Sequence, residues 1–254
     1  MAEDTPDLRA KAERLRALHH GELLVLPNVW DAGSARVVVG AGARAVATAS
    51  AAVAAMLGHP DGEGAPWQEM FSAARRVVRA VDVPVTVDAE AGYGLPPREL
   101  VSRLVEVGAA GCNLEDTDHR AGRLRDADEQ ADWLAAVRSA TADAGVPLVI
   151  NARIDTFLPE SAVVDQDRIE ETIRRGRLYR DAGADCLYPI GVSRRADLVT
   201  LVTELPGPVN ANPGDELDLA ALRQLGVARA SYGPHFYRSA LADLDARVRE
   251  ILRC

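Results

Sequence analysis

Residues 85–94 read VTVDAEAGYG and set two acids, Asp88 and Glu90, one residue apart where a strand-forming run ends. Alternate side chains of a strand share a face, so both acids belong to the same side. Further along, GCNLED ends in Glu115 and Asp116, PLVINARID carries Asn151, Arg153 and Asp155, and GPVNANP carries Asn210 and Asn212. Ser50 closes ARAVATAS, and Asp61 follows in the loop HPDGEGAPW. A lone acid at a strand end could equally cap the next helix or pair with an arginine. Acids that end several successive strands repel one another in a low-dielectric site unless a proton or a cation separates them. A hard divalent cation is the natural remedy, and magnesium takes one or two carboxylates directly while keeping waters and substrate oxygens. No His or Cys accompanies these acids on the strands, which disfavours zinc. Magnesium is the expected ion, with manganese as the alternative.

The elements that must position these groups alternate along the whole chain. Strand-like runs fall at 23–30, 43–50, 83–90, 111–116, 147–155, 185–191, 207–213 and 228–234. Amphipathic stretches such as PPRELVSRLVEVGA, DEQADWLAAVRSATADAG and QDRIEETIRRGRLYRDAG separate them. Every second strand follows a helix that ends in glycine (VGAGAR, VGAAGC, DAGADC, QLGVAR), where glycine can take the left-handed conformation. The strands between open with Val-Pro or Gly-Pro, where no ladder donor is lost. This alternation predicts an α/β protein, a (β/α)8 TIM barrel, as one domain over 1–254 with a short helical extension at about 7–20. No GxGxxG follows the first strand, against a doubly wound open sheet. Chemistry in such barrels sits at the C-terminal strand ends, where the acids collect.

Composition narrows the partners. A net charge of −9 argues against a nucleic-acid or anionic-membrane surface. With no signal-like apolar segment, no membrane span and three widely spaced cysteines (Cys112, Cys186, Cys254), a cytoplasmic setting is expected. Cys112 reads as a small core residue. His19 and His20 read as surface residues, and His59 as a solvated loop residue near the rim. Trp30 and Asp31 could wall the pocket, with Trp30 favoured for the core. Gly92 and Gly94 would let backbone approach a ligand closely, with Tyr93 between them over the pocket.

Four segments together, LPNVWDAGSARVVVGAGARAVATASAAVAAMLGHPDGE, VDAEAGYG, AAGCNLEDT and INARID, resemble the isocitrate lyase and phosphoenolpyruvate mutase superfamily over about residues 23–190. The resemblance implies a Mg²⁺ enzyme that binds an α-oxo acid or its enolate and makes or breaks the adjacent C–C or P–C bond. It implies Asp88 as the direct metal ligand, with Asp61, Glu90 and Glu115 holding metal-bound waters. Arg153 would face the substrate carboxylate or the developing enolate, and the amides around Ala49 and Ser50 would cradle the pyruvyl carboxylate. It also implies a homo-oligomer, a dimer or a tetramer whose last helix is exchanged between subunits.

The departures shape the reading. The lyase branch carries a cysteine on the loop after the fourth strand, whereas here 117–130 reads TDHRAGRLRDADEQ. The mutase branch has lysine and asparagine there, and this chain offers His119, Arg120, Arg123 and Arg125. Ala49 replaces a usual serine, and Tyr188 and Pro189 stand where some mutases place a histidine. Cations such as Arg123 could grip a second carboxylate or a phosphonate, and His119 could donate a proton near neutrality. The expected catalytic groups are therefore Arg153, His119 and Glu115. Ala49, Ser50, Gly92, Tyr93, Asn151, Asn212 and Arg123 are expected to contact substrate. The leading expectation is a Mg²⁺-dependent lyase or decarboxylase for a small α-oxo or malate-type acid. Phosphoenolpyruvate mutase or phosphonopyruvate hydrolase chemistry is the alternative, and a non-catalytic metabolite-binding barrel is a further one.

Overall fold

The computed structural model describes residues 5–253, so Cys254 lies outside the described residues. Its first strands are β1 (Leu24–Leu26), β2 (Asn28–Val29), β3 (Val46–Thr48), β4 (Val85–Asp88) and β5 (Gly111–Glu115). A hairpin β6 (Thr117–Asp118) and β7 (Arg123–Leu124) follows, then β8 (Val149–Ile154), β9 (Cys186–Pro189), β10 (Asn210–Ala211) and β11 (Arg229–Ser231).

Pro27 alone separates β1 from β2, which act as two halves of one strand. β1 pairs in parallel with β11, and β2 pairs in parallel with β3. From there the ladder runs β3–β4–β5–β8–β9, and a Leu187–Val209 bridge leads on to β10 and β11. The strands thus form the ring of a (β/α)8 barrel. Its outward apolar face is fully buried, with Val46, Val85, Val87, Leu114, Ile150 and Ile154 at 0–3% exposure.

Helices α1 (Thr5–Leu18), α2 (Ala32–Gly40), α3 (Ser50–Leu57), α4 (Trp67–Val78) and α5 (Pro97–Val107) alternate with the early strands. Later come α6 (Ala127–Asp143), α7 (Arg168–Asp181), α8 (Arg195–Glu204), α9 (Leu219–Gln224) and α10 (His235–Leu252). The N-terminal helix closes the bottom of the barrel: Leu8, Ala12 and Leu15 are buried, and Leu15 packs where Gly111 opens β5. Arg16 pins it, with Nε on Asp185 Oδ1 at 2.9 Å and Nη2 on the Pro147 carbonyl at 3.0 Å. His19 is not a surface residue. It is buried, hydrogen-bonded to the Leu15 carbonyl at 2.8 Å, and burial lowers its pKa to about 4.

Two local elements differ from the sequence reading. The strand expected at 43–50 ends at Thr48, and Ser50 instead starts α3, an alanine-rich helix stopped by left-handed Gly58 (φ 87°). The loop 117–130 folds back as the β6–β7 hairpin. No helix among the described residues is long and apolar enough to cross a membrane.

Candidate active site

The C-terminal strand ends open on a cavity of about 380 Å³, lined by Ser50, Asp61, Asp88, Asn113, Arg153 and Arg229 among others. Asp88 closes β4, and each side of it is held. Its N–H donates to Thr48 Oγ1 at 2.8 Å, Oδ2 accepts the Ser50 N–H at 2.9 Å, and Oδ1 accepts Asn113 Nδ2 at 3.0 Å. α3 and β5 therefore fix where this carboxylate stands.

Glu90 lies just beyond, in left-handed backbone (φ 48°) that a non-glycine residue adopts at a cost. It is 1% exposed; Oε1 accepts the Tyr93 hydroxyl at 2.7 Å, and Oε2 accepts the Glu63 N–H. Burial pushes its pKa up to about 7. Glu115, at the end of β5, is equally buried and stands between His119 Nε2 and Arg153 Nη1. Burial again raises its pKa to about 7, against the pull of Arg153 and His119. The bond to Glu115 raises His119 above the usual histidine value.

Arg153 is gripped from the other side by Asp155, with Nε–Oδ1 at 2.6 Å and Nη2–Oδ2 at 3.0 Å. Burial alone would lower its pKa, but Glu115 and Asp155 hold it well above the ordinary value. A bidentate fork of this kind fixes the guanidinium plane. Glu90, Glu115 and His119 bring ligand atoms within 4.8 Å of one another. Buried carboxylates whose charge is opposed by burial suit a cation, so the donor set fits a bound metal. This set includes a histidine that the strands lack, because the hairpin delivers His119 to Glu115. Strand composition alone therefore understates the nitrogen available to a metal.

With this geometry in place, likeness to known proteins becomes informative. Residues 15–252 match the phosphoenolpyruvate phosphomutase family. This chain belongs to that family. A solved chain from Burkholderia cenocepacia J2315 with a provisional phosphonomutase assignment is 44% identical, with a TM-score of 0.88, over 94% of this chain and 99% of that one. An oxaloacetate decarboxylase of Bradyrhizobium sp. (strain BTAi1) is 31% identical over 237 residues, covering 89% of this chain and 80% of the relative. The structure of an oxaloacetate acetylhydrolase with its product oxalate is 27% identical, with a TM-score of 0.81, over 95% of this chain and 85% of that one. The wider phosphoenolpyruvate mutase and isocitrate lyase superfamily thus includes lyases as well as mutases among this chain's relatives.

Seen as a member of this family, the chain places some expected residues elsewhere. Ala49 and Ser50 line the cavity, but the Ala49 amide donates to the Val29 carbonyl at 3.3 Å and the Ser50 amide to Asp88. Those two amides are engaged within the protein and do not form an open cradle. Gly92 (φ 90°) faces Trp133, whose ring would stand 2.7 Å from an added Cβ, so its bareness serves packing. Tyr93 lines a second, smaller cavity of about 270 Å³ with Glu63, His119 and Arg120. Asn151 is buried and supports Asn113, Nδ2 to Oδ1 at 2.6 Å, without lining the main cavity. Asn212 accepts the Tyr188 hydroxyl at 2.8 Å and so positions a residue that does line it.

Other polar residues turn away. Asp116 does not join the rim: it accepts Arg175 Nη1 at 2.9 Å and the Tyr179 hydroxyl at 2.8 Å, tying α7 to the barrel. Arg123 is exposed on β7 and lines neither cavity. Arg125 is a staple, with Nη2 on the Ala91 carbonyl at 3.0 Å. His59 pairs with Glu69 at 3.5 Å, and Asp31 caps α2. Asn28, Thr48, Asn113 and Arg229 line the cavity without having been singled out. Two of them carried a signal: Thr48 and Asn113 each stand two residues before an expected site residue (Ser50, Glu115).

Proposed function

We propose that this chain is a divalent-cation-dependent lyase or decarboxylase that acts beside the carbonyl of a small α-oxo or malate-type acid through an enolate. The observation that carries the reading is the group of held carboxylates, Asp88, Glu90 and Glu115, set against the fixed guanidinium of Arg153. Asp88, Glu90 and Glu115, with Asp61, would hold Mg²⁺ or Mn²⁺, leaving His119 for proton transfer. The ion when bound would supply Lewis-acid polarisation of a carbonyl oxygen. Arg153, already locked by Asp155, presents N–H donors where an enolate oxygen gains charge, and donors fixed beforehand need no reorganisation. His119, with its proton affinity raised by Glu115, would carry a proton to or from the departing half, the task for which the loop has no cysteine. Relatives that act on oxaloacetate support this substrate class.

A second reading has its own support. The likeness to a provisionally assigned phosphonomutase and the cation Arg120 in the adjoining cavity favour a phosphonate substrate. Pyruvate release from oxaloacetate, methylisocitrate, dimethylmalate and phosphonopyruvate, with Mg²⁺ and with chelator, separates the two. Metal-dependent pyruvate from a carbon acid is expected. Release from phosphonopyruvate alone would establish the second reading, and no release from any would sink the first for these substrates.

Self-association belongs to the same proposal. α10 buries none of its residues and exposes Leu241, Leu244, Val248, Ile251 and Leu252. Between α2 and the start of β1 lies an apolar hollow of about 560 Å³ lined by Leu23, Val37, Val38 and Phe236, with Val37 73% exposed. Apolar surface of this kind marks an interface, and a second copy of the chain is its proposed occupant.

A further inference from the structure

Arg229 opens β11 inside the barrel and is 2% exposed. Its Nε donates to Ser231 Oγ at 3.0 Å, while Nη1 is buried with no hydrogen-bond partner. The other buried arginines of the barrel are paired: Arg153 with Glu115 and Asp155, Arg175 with Asp116 and Glu171. Arg229 forms no ion pair among the described residues. The carboxylate whose charge reaches it is Asp88, which is itself occupied by Ser50 and Asn113. Burial draws the Arg229 pKa below the ordinary value, yet a guanidinium stays protonated in a protein.

A buried cation without a counter-charge is strongly destabilising, and such a group is retained where something else uses it. The partner can come from the cavity, because Arg229 and Arg153 both line it and the Tyr188 ring feels both charges. Arg153 is already neutralised by Glu115 and Asp155, so a monocarboxylate held at its remaining N–H donors leaves Arg229 unpaired. The second group of a dianion can supply the partner that Arg229 lacks.

We propose that Arg229 binds the second anionic group of a dianionic substrate and so sets a preference for such acids over monocarboxylates. The inference rests on the α-oxo acid reading above and narrows its substrate class. The second group is a carboxylate or a phosphonate, two anions that a guanidinium binds alike.

Calorimetric titration with Mg²⁺ present tests this on the full chain. The ligands are pyruvate, 3,3-difluorooxaloacetate and phosphonopyruvate, and the proteins are wild type, Arg229→Met and Arg229→Lys. Wild type should bind one or both dianions at least about tenfold more tightly than pyruvate, as a charged hydrogen bond implies. Arg229→Met should abolish that ratio while leaving pyruvate affinity unchanged, and Arg229→Lys should keep part of it. The dianion whose advantage disappears names the group. Ligand-free Arg229→Met should melt no lower than wild type, because it replaces an unpaired buried charge by an apolar chain. A dianion preference that survives in Arg229→Met would overturn the assignment, leaving Arg229 a structural group solvated by buried water. Failure of all three ligands to bind wild type would overturn the α-oxo acid reading itself, and the assignment with it.

Discussion

Glu115 and Arg153 are Cα partners across the β5–β8 ladder, and their side chains meet as a buried ion pair at the mouth of the barrel. Asp155, two residues on, closes the other side of the same guanidinium. Removing the cation leaves two carboxylates facing each other out of water. Arg153→Met is therefore expected to lose about 3–5 kcal/mol of stability, the scale for breaking a buried pair. Arg153→Lys, which keeps charge without the fork, should lose less. Urea unfolding of both variants checks this, and a Met variant as stable as wild type would contradict it.

Asp88 accepts N–H bonds from Ser50 and Asn113, and an asparagine keeps one of those acceptors, so Asp88→Asn should still fold. It should nevertheless lose the rise in melting temperature that Mg²⁺ gives wild type, since specific binding to the native state stabilises it. Turnover should fall by about 10²–10³. An undiminished Mg²⁺ shift in Asp88→Asn would remove Asp88 from the metal site.

Stability should respond to pH with a definite sign. Glu90 and Glu115 are raised to about 7 by burial, and His119 is raised by Glu115. Each group binds its proton more tightly folded than unfolded. Without metal, their contribution is present at low pH and lost as pH climbs from the ordinary carboxylate range through neutrality. A cation competes with those protons, so the Mg²⁺-induced melting shift should be larger at pH 8 than at pH 5.5. Differential scanning calorimetry at both values decides; a shift larger at the lower pH would contradict the assignment of these residues.

Much of this was legible in the sequence, and what was not shares a cause. Asp88, Glu115 and Arg153 were visible because period-two alternation and strand ends are local properties, whereas Glu90 lies past the end of β4 in left-handed backbone, where alternation no longer holds. Glycine-terminated helices and proline-opened strands likewise marked the barrel. Asp116 misled because the residue after a strand end leaves its alternation, and Arg175, 59 positions away, turns it outward. Gly92 misled for a similar reason: its neighbour is Trp133 on α6, not a ligand. His19 sits under the barrel through the packing of α1, which a charged amphipathic segment does not announce. Arg229 was hidden because an arginine in a short strand looks exposed until the ring closes around it.

Gly92 offers a test of stability rather than of chemistry. At φ 90° a side chain is strained, and an alanine Cβ would stand 2.7 Å from the Trp133 ring. Gly92→Ala should cost at least about 1–2 kcal/mol from backbone strain alone, with more from the clash. Chemical denaturation measures it, and a neutral result would mean that the turn relaxes freely.

The exposed stripe of α10 should mediate association. Leu244→Glu combined with Ile251→Glu is expected to reduce the mass measured by light scattering while leaving the circular dichroism spectrum unchanged. A wild-type chain that runs as a monomer would refute the interface.

The most direct test of a shared metal and enolate site is calorimetric titration of oxalate, a planar mimic of the pyruvate enolate, with Mg²⁺ or with chelator. The site described here predicts that oxalate binds wild type only when Mg²⁺ is present, and that Asp88→Asn binds neither. Oxalate binding that ignores Mg²⁺, or that survives intact in Asp88→Asn, would contradict it.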